Sequence, residues 1–167
     1  MNIPSKLEQL IESVVAGATT TQLEIECSGL NLNEVGIHGR TPLMVAAAEG
    51  LFAAVETLVR NGASVRATGR SQMTALHEAS ANGQAAIASY LLSLGAETDA
   101  ETIDGVTPLM SAAAWGNIEV AKILLEKGAD WTTVDRTGAT ATDIAREKGE
   151  DAAADMIESY SRMRDTR

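Results

Sequence analysis

The sequence is poor in the residue types from which most catalytic and metal-binding sites are built. It has one cysteine, Cys27, and two histidines, His38 and His77. A single cysteine excludes a disulfide framework within the chain, and so few cysteines and histidines give no set with the spacing of a zinc site. The sequence also lacks a glycine-rich phosphate loop and a nucleophile elbow. We therefore expect a protein that is not an enzyme and that uses no metal ion or cofactor.

Aromatic residues and positive charge are also scarce. Aromatics make up 3% of the 167 residues, and Lys and Arg number 13 against 23 Asp and Glu. The formal net charge of −10 would repel phosphate backbones and anionic lipids, so we expect no binding to nucleic acid or to a membrane. No stretch approaches the roughly 18 apolar residues of a membrane span, and charged residues interrupt the N-terminal segment where a signal peptide would be apolar. The expected location is the cytoplasm.

What the sequence does have is a register of 33 residues. Threonines recur at that step at Thr41, Thr74, Thr107 and Thr140. Glycines and leucines keep the same step, namely Gly62, Gly95 and Gly128, and Leu58, Leu91 and Leu124. Self-similarity at this period is typical of a stack of similar units, and such stacks usually bind other molecules.

Each unit has the pattern of a turn, a helix, a tight loop and a second helix. Thr41 stands where an N-cap is needed, and Pro42 follows at the first helical position, where its fixed φ suits the helix. In the second helix, apolar residues such as Val55 and Leu58 recur at helical spacing. Gly62 is expected to close that helix in the left-handed conformation.

One of these units resembles an ankyrin repeat. The resemblance is carried by Asp104-Gly105-Val106-Thr107-Pro108-Leu109, Ala112-Ala113-Ala114-Trp115-Gly116-Asn117 and Leu124-Leu125-Glu126-Lys127-Gly128-Ala129-Asp130. It implies an all-α solenoid of about five helix-turn-helix units joined by β-turn fingers. The expected units are a degenerate N-terminal capping repeat over 1–36, full repeats over 37–69, 70–102 and 103–135, and a C-terminal capping repeat with a tail over 136–167.

The ends of the array are expected to differ from its middle. Charged residues such as Asp143 and Arg146 stand in the last unit where other units have apolar or small residues, as suits an array that ends in solvent. We expect the tail to fray after Ile157, and Trp131 to pack partly between loops.

The remaining candidates for chemistry have structural interpretations. The resemblance implies that His77 forms an internal hydrogen bond joining neighbouring loops, and Met44 and Met110 replace this histidine in two other units. Cys27 is expected to be a small, partly buried apolar residue. The acidic stretch 97–104 lacks the glycine-centred pattern of a calcium loop and is expected to be solvated.

The resemblance also implies that a partner protein meets the turn tips and the exposed side of the first helices, which form a concave groove. It assigns to this surface Ile37, His38, Arg40, Arg70, Met73, Ile103, Val106 and Trp115, and Glu78 is a further candidate contact residue. Trp115 stands where other units have Glu49, Asn82 and Lys148. An exposed indole near Met73, Ile103 and Val106 would make an apolar patch in an acidic protein, and such patches mark interaction sites. The alternative is local packing of the indole onto the next turn.

The arginines of the early fingers leave two alternatives open. Arg40, Arg66 and Arg70 either pair with carboxylates of a partner or with acidic residues of this chain, such as Glu78. Glu78 replaces the smaller side chains of Val45 and Ser111 in other units. If it faces the groove, it either contacts the partner or pairs with a nearby arginine.

We therefore expect a monomeric protein-binding module that acts as an adaptor or stabiliser, with Trp115 as the central apolar anchor. An alternative is an inhibitor or immunity-type protein that blocks the active site of a basic enzyme, its acidity imitating an anionic substrate. Self-association through the groove and, more remotely, an enzyme with an unrecognised carboxylate site are the other hypotheses.

Overall fold

The computed structural model describes residues 5–36 and 38–165. Within these ranges the chain forms ten α-helices and no strand. The helices are α1 (Lys6–Val15), α2 (Thr20–Cys27), α3 (Pro42–Ala48), α4 (Phe52–Arg60), α5 (Ala75–Ala81), α6 (Ala85–Ser93), α7 (Pro108–Ala114), α8 (Ile118–Glu126), α9 (Ala141–Lys148) and α10 (Asp151–Asp165). The predicted all-helical solenoid is confirmed. None of these ten helices combines the length and the apolar character that crossing a membrane requires.

The helices form five consecutive pairs that stack into two layers. The odd-numbered helices contact one another in chain order and make one layer, and the even-numbered helices make the other. The core lies between the layers and is filled mainly by leucine and alanine; Leu43, Leu76 and Leu109 are at most 1% exposed. Each pair therefore has its apolar surface covered by its neighbours along the chain.

Threonine caps begin the short helices of the odd layer, as predicted. The backbone N–H of Met44 donates to the Thr41 hydroxyl at 3.3 Å, and that of Met110 donates to the Thr107 hydroxyl at the same distance. Pro42 is the first residue of α3. Helices of seven residues are too short to be stable alone, so these caps and the contacts with neighbouring pairs hold them.

A tight turn, which we call a finger, precedes each odd helix from α3 onward. The closing hydrogen bond of each finger joins an N–H to the carbonyl four residues later, as from Gly69 to Met73 at 2.8 Å. Backbone bonds also link adjacent fingers: Arg70 N–H donates to Gly39 O at 3.0 Å, Ile103 N–H to Ser71 O at 3.0 Å, and Arg136 N–H to Asp104 O at 2.9 Å. Each finger is thus held in register by the one before it.

One finger position requires a left-handed backbone. Gly39, Gly105 and Gly138 occupy it with φ of 79°, 75° and 86°, and Gln72 occupies the equivalent place with φ of 60°. Gln72 is the one non-glycine residue with positive φ among the described residues. A side chain in this conformation costs about 1 kcal/mol.

The predicted fraying after Ile157 is wrong. The last helix continues to Asp165 because Tyr160 anchors it to the preceding unit. The Tyr160 hydroxyl donates to the Leu125 carbonyl at 2.7 Å. The Trp131 ring meets the Tyr160 ring edge-on, with the centroids 5.7 Å apart, so the partly buried Trp131 packs against the last helix.

His77 is an internal structural residue, as the resemblance implied. Its side chain is fully buried. Nδ1 accepts a hydrogen bond from the Thr74 N–H at 3.2 Å, so Nε2 carries the proton and donates to the Val106 carbonyl at 3.0 Å. This bond joins α5 to the finger of the next unit. Burial lowers the pKa of His77 below its ordinary value, and hydrogen bonds to the carbonyls of Val106 and Ala100 oppose this shift.

The contacts between fingers predict different losses of folding stability for alanine substitutions at two equivalent glycines. Alanine at Gly138 or Gly105 costs about 1 kcal/mol because φ is positive at both. At Gly105 the added Cβ would also lie 3.2 Å from Asp135 Cα and 3.3 Å from Arg136 N, whereas at Gly138 it would meet no atom within 4 Å. We expect urea unfolding to give a larger loss of stability for Gly105→Ala than for Gly138→Ala. Equal losses would show that the packing of adjacent fingers adds nothing.

The buried histidine predicts a pH dependence of stability. Since its pKa is lower in the folded than in the unfolded chain, the unfolded chain takes up the proton first as the pH falls below about 6.5. The stabilisation is complete above that pH and is lost as the pH falls toward the folded-state pKa. His77→Met, which copies Met44 and Met110, is expected to make the free energy of unfolding fall less steeply below pH 6.5. Parallel profiles for the two proteins, measured by chemical denaturation, would contradict this role.

Candidate functional site

The candidate site is the groove between the fingers and the exposed side of the odd-numbered helices. Two rows of residues face each other there at steps of 33. The finger row consists of Arg40, Met73, Val106 and Ala139, and the helix row consists of Val45, Glu78, Ser111 and Ile144. The stacked units repeat the backbone while the side chains differ, so the character of the groove changes along its length.

Toward the C-terminal end, the groove contains an apolar recess of about 380 Å³, which we call the Trp115 recess. Its lining includes Met73, Val106, Ile144 and Trp115. Trp115 is the residue directly after the last residue of α7, and it is 69% exposed. This exposure does not agree with the alternative in which the indole packs onto the next turn. The structure therefore brings Met73, Val106 and Trp115 together, as the sequence predicted.

Ile103 does not join this recess. It is 45% exposed and lies at a finger tip, where its backbone N–H binds the carbonyl of Ser71. The other predicted tips are Ile37, which lies outside the described residues, and His38, which is exposed at the opposite end of the groove. The apolar cluster thus has three of its four predicted members.

Arg40 and Glu78 pair with each other, which is one of the alternatives that the sequence left open. Arg40 Nε lies 2.7 Å from Glu78 Oε1, and Nη2 donates to Oε2 at 3.0 Å. The Glu78 side chain is only 3% exposed and that of Arg40 is 44% exposed. Burial raises the pKa of the Glu78 carboxyl, and the charge and hydrogen bonds of Arg40 oppose this shift. The Glu78 carboxylate is thus covered by Arg40, which agrees with the alternative of pairing with a nearby arginine; a contact of Glu78 with a partner stays a prediction.

The two other arginines of the early fingers differ from Arg40. Arg66 lies 3.6 Å from Glu97 and donates to the Gly95 carbonyl at 3.0 Å. Arg70 is exposed, and its aliphatic stem lies against Gly39. No ion pair of Arg70 is found within residues 5–36 and 38–165. Of the three, Arg70 keeps its charge available to a partner.

A second recess, at the N-terminal end of the groove, was missed by the sequence analysis. It measures about 200 Å³ and lies between α1 and α3. Its lining is Ile11, Val15 and Val45 together with Glu8, Glu12, Glu49, His38 and Arg40. In α1 the apolar residues Leu7, Leu10, Ile11, Val14 and Val15 follow the ordinary spacing of one apolar helix face. The sequence of α1 therefore gives no separate signal of the recess.

Among the described residues, the groups that could serve as metal ligands or nucleophiles have structural surroundings. No group of three or more His, Cys, Asp or Glu side chains is placed to hold a metal ion there. In the acidic stretch, Glu97 and Asp104 pair across loops with Arg66 and Arg136 at 3.6 Å. Cys27 is buried, and burial raises the pKa of its thiol above the ordinary value. A thiol with a raised pKa is a poor nucleophile at neutral pH.

The ion pair in the groove predicts a strong coupling between its two residues. Arg40→Met alone leaves a buried carboxylate without its counter-ion and is expected to cost about 2 kcal/mol, below the range for fully buried pairs because Arg40 is partly exposed. The double variant Arg40→Met/Glu78→Ser copies Met73 and Ser111 of the next unit and should lie within about 1 kcal/mol of the wild type. Urea unfolding of the wild type, both single variants and the double variant measures the coupling. If the two substitutions change the free energy of unfolding additively, Arg40 and Glu78 do not interact as described.

Comparison with known proteins agrees with this architecture. The family model for ankyrin repeats matches the sequence three times, over residues 10–102, 68–135 and 95–161. No curated protein gave a significant match. Ankyrin repeats are generally protein–protein interaction modules and are typically without enzymatic activity. Because the matches span most of the chain and its helix pairs stack in two layers, this protein belongs to the ankyrin repeat family.

Proposed function

We propose that this chain is a monomeric protein-binding module, acting as an adaptor or stabiliser, that holds a segment of a partner protein in its groove. The partner's apolar side chain occupies the Trp115 recess. The observation that carries this proposal is the exposure of Trp115, 69%, beside a recess of about 380 Å³. No reaction is assigned to the chain.

The chemistry of the recess supports an apolar anchor. Met73 and Val106 are partly buried at its fingers, and Ile144 is partly buried in α9. Covering an exposed indole removes a large apolar surface from water, and tryptophan is enriched among the residues that dominate binding energies. The end of α7 does not require an indole, because Glu49 and Asn82 occupy the equivalent C-cap positions of α3 and α5.

The rim of this recess supplies polar groups around the apolar centre. Asp135, Glu147 and Lys148 line it together with Thr137. An apolar centre with a polar rim is the usual arrangement of a protein–protein interface. Arg70 lies in the finger region toward the N-terminal side and offers a free positive charge to a carboxylate of the partner.

A second candidate function is the inhibition of a basic enzyme by occupation of its active site. The observation that favours it is the acidic lining of the N-terminal recess, where Glu8, Glu12 and Glu49 surround an apolar floor. An assay of any captured enzyme with and without this chain separates the two functions, because an inhibitor abolishes the activity and an adaptor leaves it unchanged.

The proposal predicts that Trp115→Ala removes partner binding without unfolding the protein. The partner recovered by the immobilised wild type from a native lysate is expected to fall at least tenfold with Trp115→Ala. Ile25→Ala is the matched control, because Ile25 is 72% exposed on α2, in the other layer. Thermal unfolding confirms that each variant is folded. Equal recovery with Trp115→Ala and wild type, or an equal loss with Ile25→Ala, would refute the groove assignment.

A further inference from the structure

The N-terminal recess combines an apolar floor with an acidic rim. Ile11 and Val15 of α1 and Val45 of α3 make the floor, and Val15 is 56% exposed. An apolar patch of this kind alone would accept many different side chains of a partner. The charged groups around the patch restrict which side chain can bind there.

The rim carries negative charge that the chain does not compensate. Glu12 and Glu49 are exposed and form no ion pair within the described residues. One oxygen of Glu8 accepts the N–H of Ser5 at 3.0 Å as part of the cap of α1. Arg40 also lines the recess, but its guanidinium is paired with the Glu78 carboxylate through two nitrogen atoms. A cation is therefore the group that the rim favours.

A long basic side chain matches both parts of the recess. Lysine and arginine lay their aliphatic stems on apolar surface while the charged head stays at the polar edge. A purely apolar side chain would bring the Glu12 and Glu49 carboxylates out of water without a counter-ion, and an acidic side chain would be repelled. An apolar or an acidic side chain therefore does not match both the apolar floor and the acidic rim.

The distance between the two recesses sets the length of the partner segment. The N-terminal recess lies between α1 and α3, and the Trp115 recess is lined mainly by α7, α9 and the fingers that precede them. From the gap between α1 and α3 to the gap between α7 and α9 there are three steps between packed helices, or about 27 Å at about 9 Å per step. An extended chain covers that distance in about eight residues, since it rises by about 3.3 Å per residue.

We infer that the partner segment is an extended stretch in which a lysine or arginine stands about eight residues from a bulky apolar residue. The basic side chain occupies the N-terminal recess, and the apolar side chain occupies the Trp115 recess. This inference rests on the proposed function, since the second anchor is the Trp115 recess.

A random peptide library displayed on phage tests the inference without knowledge of the natural partner. Selection on the immobilised wild-type chain is expected to enrich peptides with a basic residue about eight positions from an aromatic or large aliphatic residue. Selection on Trp115→Ala is the parallel arm. Enrichment of an apolar residue alone, lost with Trp115→Ala, would overturn this inference and leave the proposed function standing. No enrichment, or enrichment that Trp115→Ala does not change, would overturn both.

Charge reversal then assigns the basic residue to its recess. A selected peptide is expected to bind Glu12→Lys/Glu49→Lys at least tenfold more weakly than wild type, because the reversed rim repels its cation. Glu119→Lys/Glu126→Lys is the matched control: it makes the same change in net charge at exposed positions of α8. Fluorescence anisotropy with the labelled peptide measures both affinities. Equal weakening by the two double variants would show a general charge effect and overturn the assignment.

Discussion

The backbone hydrogen bond from each finger to the finger before it is the constraint on which the rest of the structure depends. Arg70 binds Gly39, Ile103 binds Ser71 and Arg136 binds Asp104, each at 2.9–3.0 Å. None of the seven-residue helices of the odd layer is stable alone, so each unit takes its position from its neighbours. These bonds fix the register in which the units meet. They also place equivalent residues of successive units in rows along the groove.

Because the backbone repeats, the differences between side chains in these rows give the groove its character. The pair Arg40–Glu78 of the early units is ionic, its equivalent Met73–Ser111 is mixed, and Val106–Ile144 is apolar. The ion pair thus lies between an acidic N-terminal recess and an apolar recess at Trp115. In the proposed complex, a surface that changes in this way along one line would distinguish both the composition and the direction of the partner segment.

The features that the sequence predicted are those determined within one unit or by the 33-residue register. A threonine cap acts on the helix that follows it and was therefore predictable, whereas the sequence left open whether the Trp115 indole packs onto the next turn. The Arg40–Glu78 pair joins residues 38 apart, and the residue types alone allow Arg40 to face either a partner or Glu78. The length of α10 depends on a bond from Tyr160 to Leu125, 35 residues away. The N-terminal recess depends on how α1 lies against α3, which the degenerate first unit does not encode in a recognisable motif.

Site-specific photo-crosslinking within a partner complex tests the central claim, that a partner binds in the groove, most directly. A benzophenone amino acid at Thr137, which is exposed and lines the Trp115 recess, is compared with one at Ser93, which is exposed on α6 in the other layer. The account predicts a covalent adduct with the partner from Thr137 and none from Ser93. An adduct from Ser93 alone would contradict it.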